Sequence, residues 1–454
     1  MAYVSVNPAT GEEVARRPYM EPDEVEEVLA AAAEGFAAYR TTPVAERARL
    51  LHGVADLLEG EQPDLARIMT TEMGKPFAQA KAEVSKCALA FRFYAEHGPA
   101  FLAETEVASA ATRSAVRWEP LGPVLAVMPW NFPLWQVVRF AAPALLAGNV
   151  GLLKHASNVG ETAAAFEDLL RRAGLPGGAF TNLYIGSGSV ADVIADPRVA
   201  AVTLTGSEAA GRSVGRAAGE HLKKCVLELG GSDPFVVLAS ADLARAVRTG
   251  VQARVQNNGQ SCIAAKRFIV VESVADEFTE RFTATMAGLT VGDPFDPATD
   301  VGPLNSERQR VEVAGQVDDA VAQGAGLGCG GTVPDGPGWY YPPTVLTGIT
   351  PAMDVYEQEV FGPVAMVERA ADMDEALALA NRTSFGLGSS VWTEDEEERD
   401  FFIAGLAAGM VFVNAMVAST PELPFGGIKT SGFGRELSDL GMKEFCNAKS
   451  VWVA

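Results

Sequence analysis

Residues 121–155 read LGPVLAVMPWNFPLWQVVRFAAPALLAGNVGLLKH, and their pattern decides the fold. A short apolar run, VLAVMPW, is followed by a helical segment near 136–147 and then by a second apolar run, NVGLLKH. Apolar runs of this length suit buried strands, and strand, helix and strand in succession imply a parallel pair joined by a crossover. The alternation continues: NLYIG, AAVTLTG and KKCVLELGG read as strands, and 160–173, 189–195 and 208–219 as the helices between them. Ligands of such sheets bind beyond the carboxyl ends of the strands. Asn131, Lys154, Gly206 and Glu228 fall there.

A second alternating region spans about 235 to 415 (PFVVL, KRFIVV, YYPPTVL, PVAMVE, GSSVW, GMVFVN) and predicts a second α/β domain. Before the first region, a strand, the turn Asn7-Pro8-Ala9-Thr10-Gly11 and another strand precede helices at 22–39, 44–60 and 76–101, the last stopping near Gly98-Pro99. EVASAATRSAVRW (106–118) and the C-terminal SVWVA alternate in isolation, as edge strands do that extend a sheet or pair with another subunit.

The 454 residues are 48% apolar and 21% charged, which is globular rather than disordered composition and long enough for two or three domains. A formal charge of −22 repels phosphate backbones and excludes nucleic acid as an expected partner, though not a small anion held by a local cation. The five cysteines are widely spaced, with no CxxC and no zinc-like cluster, and point to a reducing, cytoplasmic setting. Neither a secretory leader nor a membrane-spanning run is expected.

Two glycine loops sit at strand-to-helix junctions. Gly186-Ser187-Gly188-Ser189-Val190-Ala191 has dinucleotide-fingerprint spacing but no clearly placed downstream carboxylate, and Gly206-Ser207-Glu208-Ala209-Ala210-Gly211 offers amides and a hydroxyl to a pyrophosphate. Read alone, each is equally a tight turn. Among the cysteines, Cys262 stands apart because it follows the polar loop Gln256-Asn257-Asn258-Gly259-Gln260-Ser261; Cys87, Cys225, Cys329 and Cys446 read as buried small hydrophobes. None of the four histidines lies near that loop, which counts against a cysteine hydrolase, and His155 reads as structural.

Seven strings in order carry a resemblance: PWNFP (129–133), LLKHAS (152–157), TGS (205–207), LELGG (227–231), GQSC (259–262), EVFGP (359–363) and PFGGIKTSGFGRE (424–436). On these the chain resembles the aldehyde dehydrogenases throughout its length. The resemblance implies NAD(P)-dependent oxidation of an aldehyde through a cysteine thioester. It also implies a Rossmann-like cofactor domain (1–105 and 119–230), an α/β catalytic domain (231–420) and a small β oligomerisation arm (106–118 and 421–454) of a homodimer or homotetramer. Cys262 would be the nucleophile, Asn131 with the Cys262 amide the oxyanion donors, and Glu228 the general base. Trp130, Lys154, Gly206, Ser207, Gly211, Glu359 and Phe361 would hold the cofactor.

At Ser157, three residues after Lys154, NAD-preferring relatives often carry Glu, which would repel a 2′-phosphate; a hydroxyl donates to it instead. NADP is the expected cofactor, with NAD possible. KKCVLELGGSDPF, KHASN and SGFGREL resemble most the branch acting on succinate semialdehyde. By that resemblance Arg139 would clamp the far carboxylate, Ser419 would add a contact, and Trp135 and Phe425 would line the tunnel. Glutarate semialdehyde, an aliphatic aldehyde and a non-catalytic role remain alternatives at this point. No metal is expected.

Overall fold

The structure, a computed structural model, describes residues 1–454. Its first large sheet has six strands, in the spatial order 432–433, 224–228, 201–205, 123–128, 150–155, 180–182. All are parallel except Gly432–Phe433, which runs antiparallel to Lys224–Glu228. From Pro123–Met128 the chain steps one way through Val150–His155 to Phe180–Asn182. It then returns to the other side of Pro123–Met128 with Ala201–Thr205. The winding therefore reverses between Pro123–Met128 and Ala201–Thr205, and a crevice opens beyond their carboxyl ends. Pro129-Trp130-Asn131 and Gly206-Ser207 leave the sheet at that crevice.

One expected strand moves. The strand read as NLYIG forms earlier, at Phe180–Asn182. Past Asn182 the carbonyls of Leu183 and Ile185 lie within reach of the Tyr3 hydroxyl (3.3 and 3.4 Å), so this apolar stretch leaves the ladder although both side chains are buried. The helix read over 76–101 forms as Phe77–Phe101, with Gly98-Pro99 inside its last turn. Pro99 removes a single amide in the last turn, which a helix end tolerates better than its middle.

The second sheet has seven strands in the order 326–329, 344–347, 364–370, 265–271, 233–237, 390–392, 412–413, parallel except for Gly326–Cys329. Ala265–Val271 is buried along its whole length, including Lys266 and Arg267. A third, antiparallel sheet pairs Cys446–Val453 with Arg113–Pro120, and Thr105–Glu106 adds a short third strand. Trp452 and Val453 project from it, 62% and 45% exposed. Residues 424–436, grouped with this arm from sequence, instead join the first sheet through Gly432–Phe433, and the Phe425–Glu436 bridge closes the segment on itself. No helix is long and apolar enough to cross a membrane.

Candidate active site

The loop that presents Cys262 is held in an uncommon backbone form. Asn257, Asn258 and Gly259 follow one another at φ of 54°, 58° and 75°. Asn tolerates the left-handed region better than other side-chain-bearing residues, and its amide can hold a neighbouring carbonyl at the same time. Asn257 Nδ2 donates to the carbonyls of Asn131 (2.7 Å) and Gln260 (2.9 Å). Asn258 Nδ2 donates to Gly74 and Pro303, and its Oδ1 accepts from the Gly302 amide. A side chain at Gly259 would run into the backbone of Gly362-Pro363.

Two buried cations close the loop from beneath. Lys266 Nζ donates to the carbonyls of Ser261 (3.0 Å) and Cys262 (2.8 Å) and pairs with Glu359 at 3.3 Å. Arg254 donates to the carbonyls of Gly259 (2.6 Å) and Ala265 (3.0 Å). Neither residue was found from the sequence. For Lys266 the available signal was its position beside Arg267 inside an otherwise apolar strand, since a buried charge must find partners.

Asn131 is fixed from the other side. Glu83, ion-paired with Lys75 in the interior, accepts the amides of Leu134 (3.0 Å) and Trp135 (2.9 Å) and so caps the Trp135–Ala147 helix just beyond PWNFP. His155, wedged between the carbonyls of Met128 and Pro133, supports the same turn. Burial pushes its pKa down to about 4, so it stays neutral and structural. Asn131 Nδ2 donates one proton to the Gln260 carbonyl at 3.2 Å, leaving its second proton free. The Cys262 amide has no partner within the protein.

Cys262 and Asn131 share a cavity of ≈ 480 Å³ with Trp130, Gly206, Ser207, Glu359 and Phe361, as the sequence grouped them. Arg308, Gln309 and Glu312 of the Glu307–Ala322 helix also line it and were missed. Trp130 and Phe361 meet edge to face at 5.8 Å. Ser207 caps the Glu208–Glu220 helix, whose N-terminus opens onto this cavity. These features fit a nicotinamide dinucleotide: a carboxylate for ribose hydroxyls, aromatic walls, and a helix N-terminus for a pyrophosphate. Gly211 does not reach the cavity; without a Cβ it lets the helix close on Leu229. Lys154 and Ser157 stand outside its walls, at and beyond the end of the neighbouring strand Val150–His155, with Ser157 exposed. The Gly186-Ser187-Gly188 loop borders a separate surface cleft with Tyr19 and Leu29.

Burial raises the Cys262 thiol to about 12; Arg139 and Lys266 pull it down, while Glu359 and Asp233 add to the rise. The resting nucleophile is therefore a neutral thiol. Glu228 is buried with both carboxylate oxygens unpartnered, and burial, then Glu436, raise its pKa well above the ordinary range against Arg139 and Arg435. Arg139, read as a clamp, is turned toward Glu436: Nε lies 2.6 Å from its Oε2, Nη2 reaches the Thr205 hydroxyl at 3.4 Å, and the guanidinium lies over the Phe425 ring at 4.3 Å. Ser419 lies on the far side of the nucleophile loop. Its Oγ accepts from Lys86 Nζ (2.7 Å) and from Trp135 Nε1 (2.9 Å).

A thiol with oxyanion donors beside a dinucleotide-shaped cavity defines a nucleotide-dependent enzyme of aldehyde chemistry. The aldehyde dehydrogenase family profile matches residues 2–451, and the chain belongs to that family. It is 58% identical, over the full length of both chains, to succinate-semialdehyde dehydrogenase [NADP(+)] 1 of Mycobacterium tuberculosis. It is 57% identical to succinate-semialdehyde dehydrogenase [NADP(+)] of Mycobacterium avium, covering all of this chain and 97% of the other. The crystal structure of succinic semialdehyde dehydrogenase from Streptococcus pyogenes in complex with NADP+ superposes with a TM-score of 0.98 at 39% identity, covering both chains fully.

Proposed function

We propose that the protein oxidises succinate semialdehyde to succinate with NADP as the preferred acceptor. The observation that carries this is the shared cavity in which Cys262, Asn131 and Glu359 meet, together with full-length identity to relatives named for this activity. Cys262 Sγ adds to the aldehyde carbon, and its proton passes to a base. The oxygen becomes an oxyanion facing the free Asn131 Nδ2 proton and the Cys262 amide. A nicotinamide held by Trp130, Glu359 and Phe361 would supply the hydride acceptor for that carbon, whose loss of hydride leaves the acyl group on Cys262 Sγ as a thioester. Glu228 then takes a proton from water as the oxygen attacks the thioester, releasing the acid and the thiol. Burial and the neighbouring Glu436 raise the proton affinity of this carboxylate above that of an exposed one, which strengthens it as a proton acceptor.

Trp130, Gly206, Ser207, Glu359 and Phe361 would hold the dinucleotide. Lys154 and Ser157, beyond the neighbouring strand, favour a 2′-phosphate over repelling it. Gly211 acts through helix packing. Recognition of the far carboxylate is assigned to the side of the loop bearing Ser419, with Arg139 adding positive potential from its ion pair with Glu436. The arm, with Trp452 and Val453 exposed, suits self-association as a homodimer or homotetramer. Five free cysteines suit a reducing cytoplasm. The test is the initial rate with succinate semialdehyde and each nicotinamide; no reduced nicotinamide with any aldehyde would overturn the reading.

A further inference from the structure

A second cavity, ≈ 560 Å³, lies across the nucleophile loop from the first and shares no lining residue with it. Successive parts of one segment face the two: Asn131 and Gln136 line the first, Phe132 and Trp135 the second. Gln256 and Asn257, at the start of the nucleophile loop, also line the second. Cys262 and Asn131 line only the first cavity, so the aldehyde carbon reacts there, and this second space, behind Phe132 and Asn257, is where the remote end of an aldehyde would be received. An acid aldehyde needs a cation here. Arg139 does not line this cavity and is engaged by Glu436.

Lys86, on the Phe77–Phe101 helix, does line it. Its Nζ lies 4.2 Å from the Trp135 ring centroid and gives one proton to Ser419 Oγ. That oxygen accepts from both Lys86 and Trp135, so both its lone pairs are used and its own hydrogen must point elsewhere. No acceptor within the protein takes it. Gln256 Nε2, on the same wall, is buried without a partner. Two donors from separate parts of the chain, Lys86 and Gln256, thus line one space without an ion-pair partner, and Ser419 stands beside it through its bonds from Lys86 and Trp135.

We propose that Lys86 is the cation that receives the substrate's remote carboxylate, with the Ser419 hydroxyl and the Gln256 amide as neutral donors beside it. This rests on the acid-aldehyde reading above. The site carries its own pH signature. Burial, and next Arg139, lower the Lys86 pKa to about 8, with Lys75 acting the same way and Cys87 and Glu83 opposing. Glu83, paired with Lys75, and Arg248 and Asp300 are the other charged groups on the cavity wall. Rising pH therefore removes the proton that binds the carboxylate.

The test compares succinate semialdehyde with butanal, on wild type and on Lys86→Met and Lys86→Arg. Lys86→Met should raise KM for succinate semialdehyde on the order of 10–100-fold, the size of a lost charged hydrogen bond. Its kcat should change little, butanal should be unaffected, and Lys86→Arg should restore part of the loss. In wild type, KM for the acid aldehyde should climb above pH about 8, and this climb should vanish in Lys86→Met. Equal losses on both aldehydes, or an acid preference kept by Lys86→Met, overturn the assignment of Lys86 alone. A wild type with no preference for the acid aldehyde overturns the acid-aldehyde reading itself.

Discussion

Replacing Asn131 by Ala separates a catalytic contact from a structural one, because the structure lets the two costs be counted. The side chain makes two contacts within the protein. Nδ2 donates to the Gln260 carbonyl at 3.2 Å, and Oδ1 lies 3.5 Å from Gln136 Nε2, at the limit of a hydrogen bond. When both are removed, the Gln260 carbonyl keeps the Asn257 amide at 2.9 Å, so no loop acceptor is orphaned. The stability cost should then be about 1 kcal/mol, that of one ordinary hydrogen bond. The free Nδ2 proton is different. If it meets the oxyanion, its loss costs on the order of 3 kcal/mol in the transition state, or roughly 100- to 1,000-fold in rate. Single-turnover formation of reduced nicotinamide reads the step directly, and thermal unfolding reads the structural cost on the same sample. Asn131→Asp, which keeps the shape but loses the donor, should match Asn131→Ala in rate. A fall of less than about tenfold, with unfolding unchanged, would refute the oxyanion assignment.

Glu228→Gln should keep a single burst of reduced nicotinamide and lose steady turnover by on the order of 100-fold or more, because the thioester still forms but water is not activated. Burial raises the folded pKa of Glu228 above its unfolded value, so the stability from its protonated form is lost as pH rises through the folded pKa. The thermal stability of Glu228→Gln relative to wild type should therefore increase with pH, and a constant difference would contradict the burial argument. Ser157→Glu should lower kcat/KM for NADP on the order of 10–100-fold by placing a carboxylate near the 2′-phosphate, and should leave NAD less affected. Trp452→Lys should shift sedimentation toward smaller species without changing the monomer's fold; an unchanged profile would remove the arm from the interface.

What the sequence made legible is what repeats locally. The alternation from 121 onward gave the parallel sheet, and the strings around Asn131, Glu228, Cys262 and Glu359 gave the residues gathered at its carboxyl edge. What stayed hidden was set by partners far along the chain. Lys86 meets Ser419 across 333 positions, and nothing near either residue announces the other. Lys266 reads as one charge in an apolar strand until the carbonyls of Ser261 and Cys262 are seen to converge on it. Arg139 was legible as a cation near the chemistry, yet its direction was not, because Glu436 lies almost three hundred residues downstream. Gly211 has the position of a phosphate-loop glycine, but its missing Cβ is used by Leu229.

The charges around Cys262 form one arrangement with a consequence for reactivity. Left-handed backbone at three successive residues is costly and persists only where surrounding contacts over-determine it. Here the amides of Asn257 and Asn258 and the cations Lys266 and Arg254 supply those contacts. The cations must be buried to do so, and burial without full pairing costs free energy. Glu359 compensates Lys266, yet the same carboxylate faces the cofactor cavity and raises the thiol. The side chain that would bind the ribose is thus coupled, through Lys266, to the backbone that presents the nucleophile. Burial, more than Glu359, holds Cys262 as a thiol, and a nucleophile kept as a thiol is less open to oxidation than a standing thiolate.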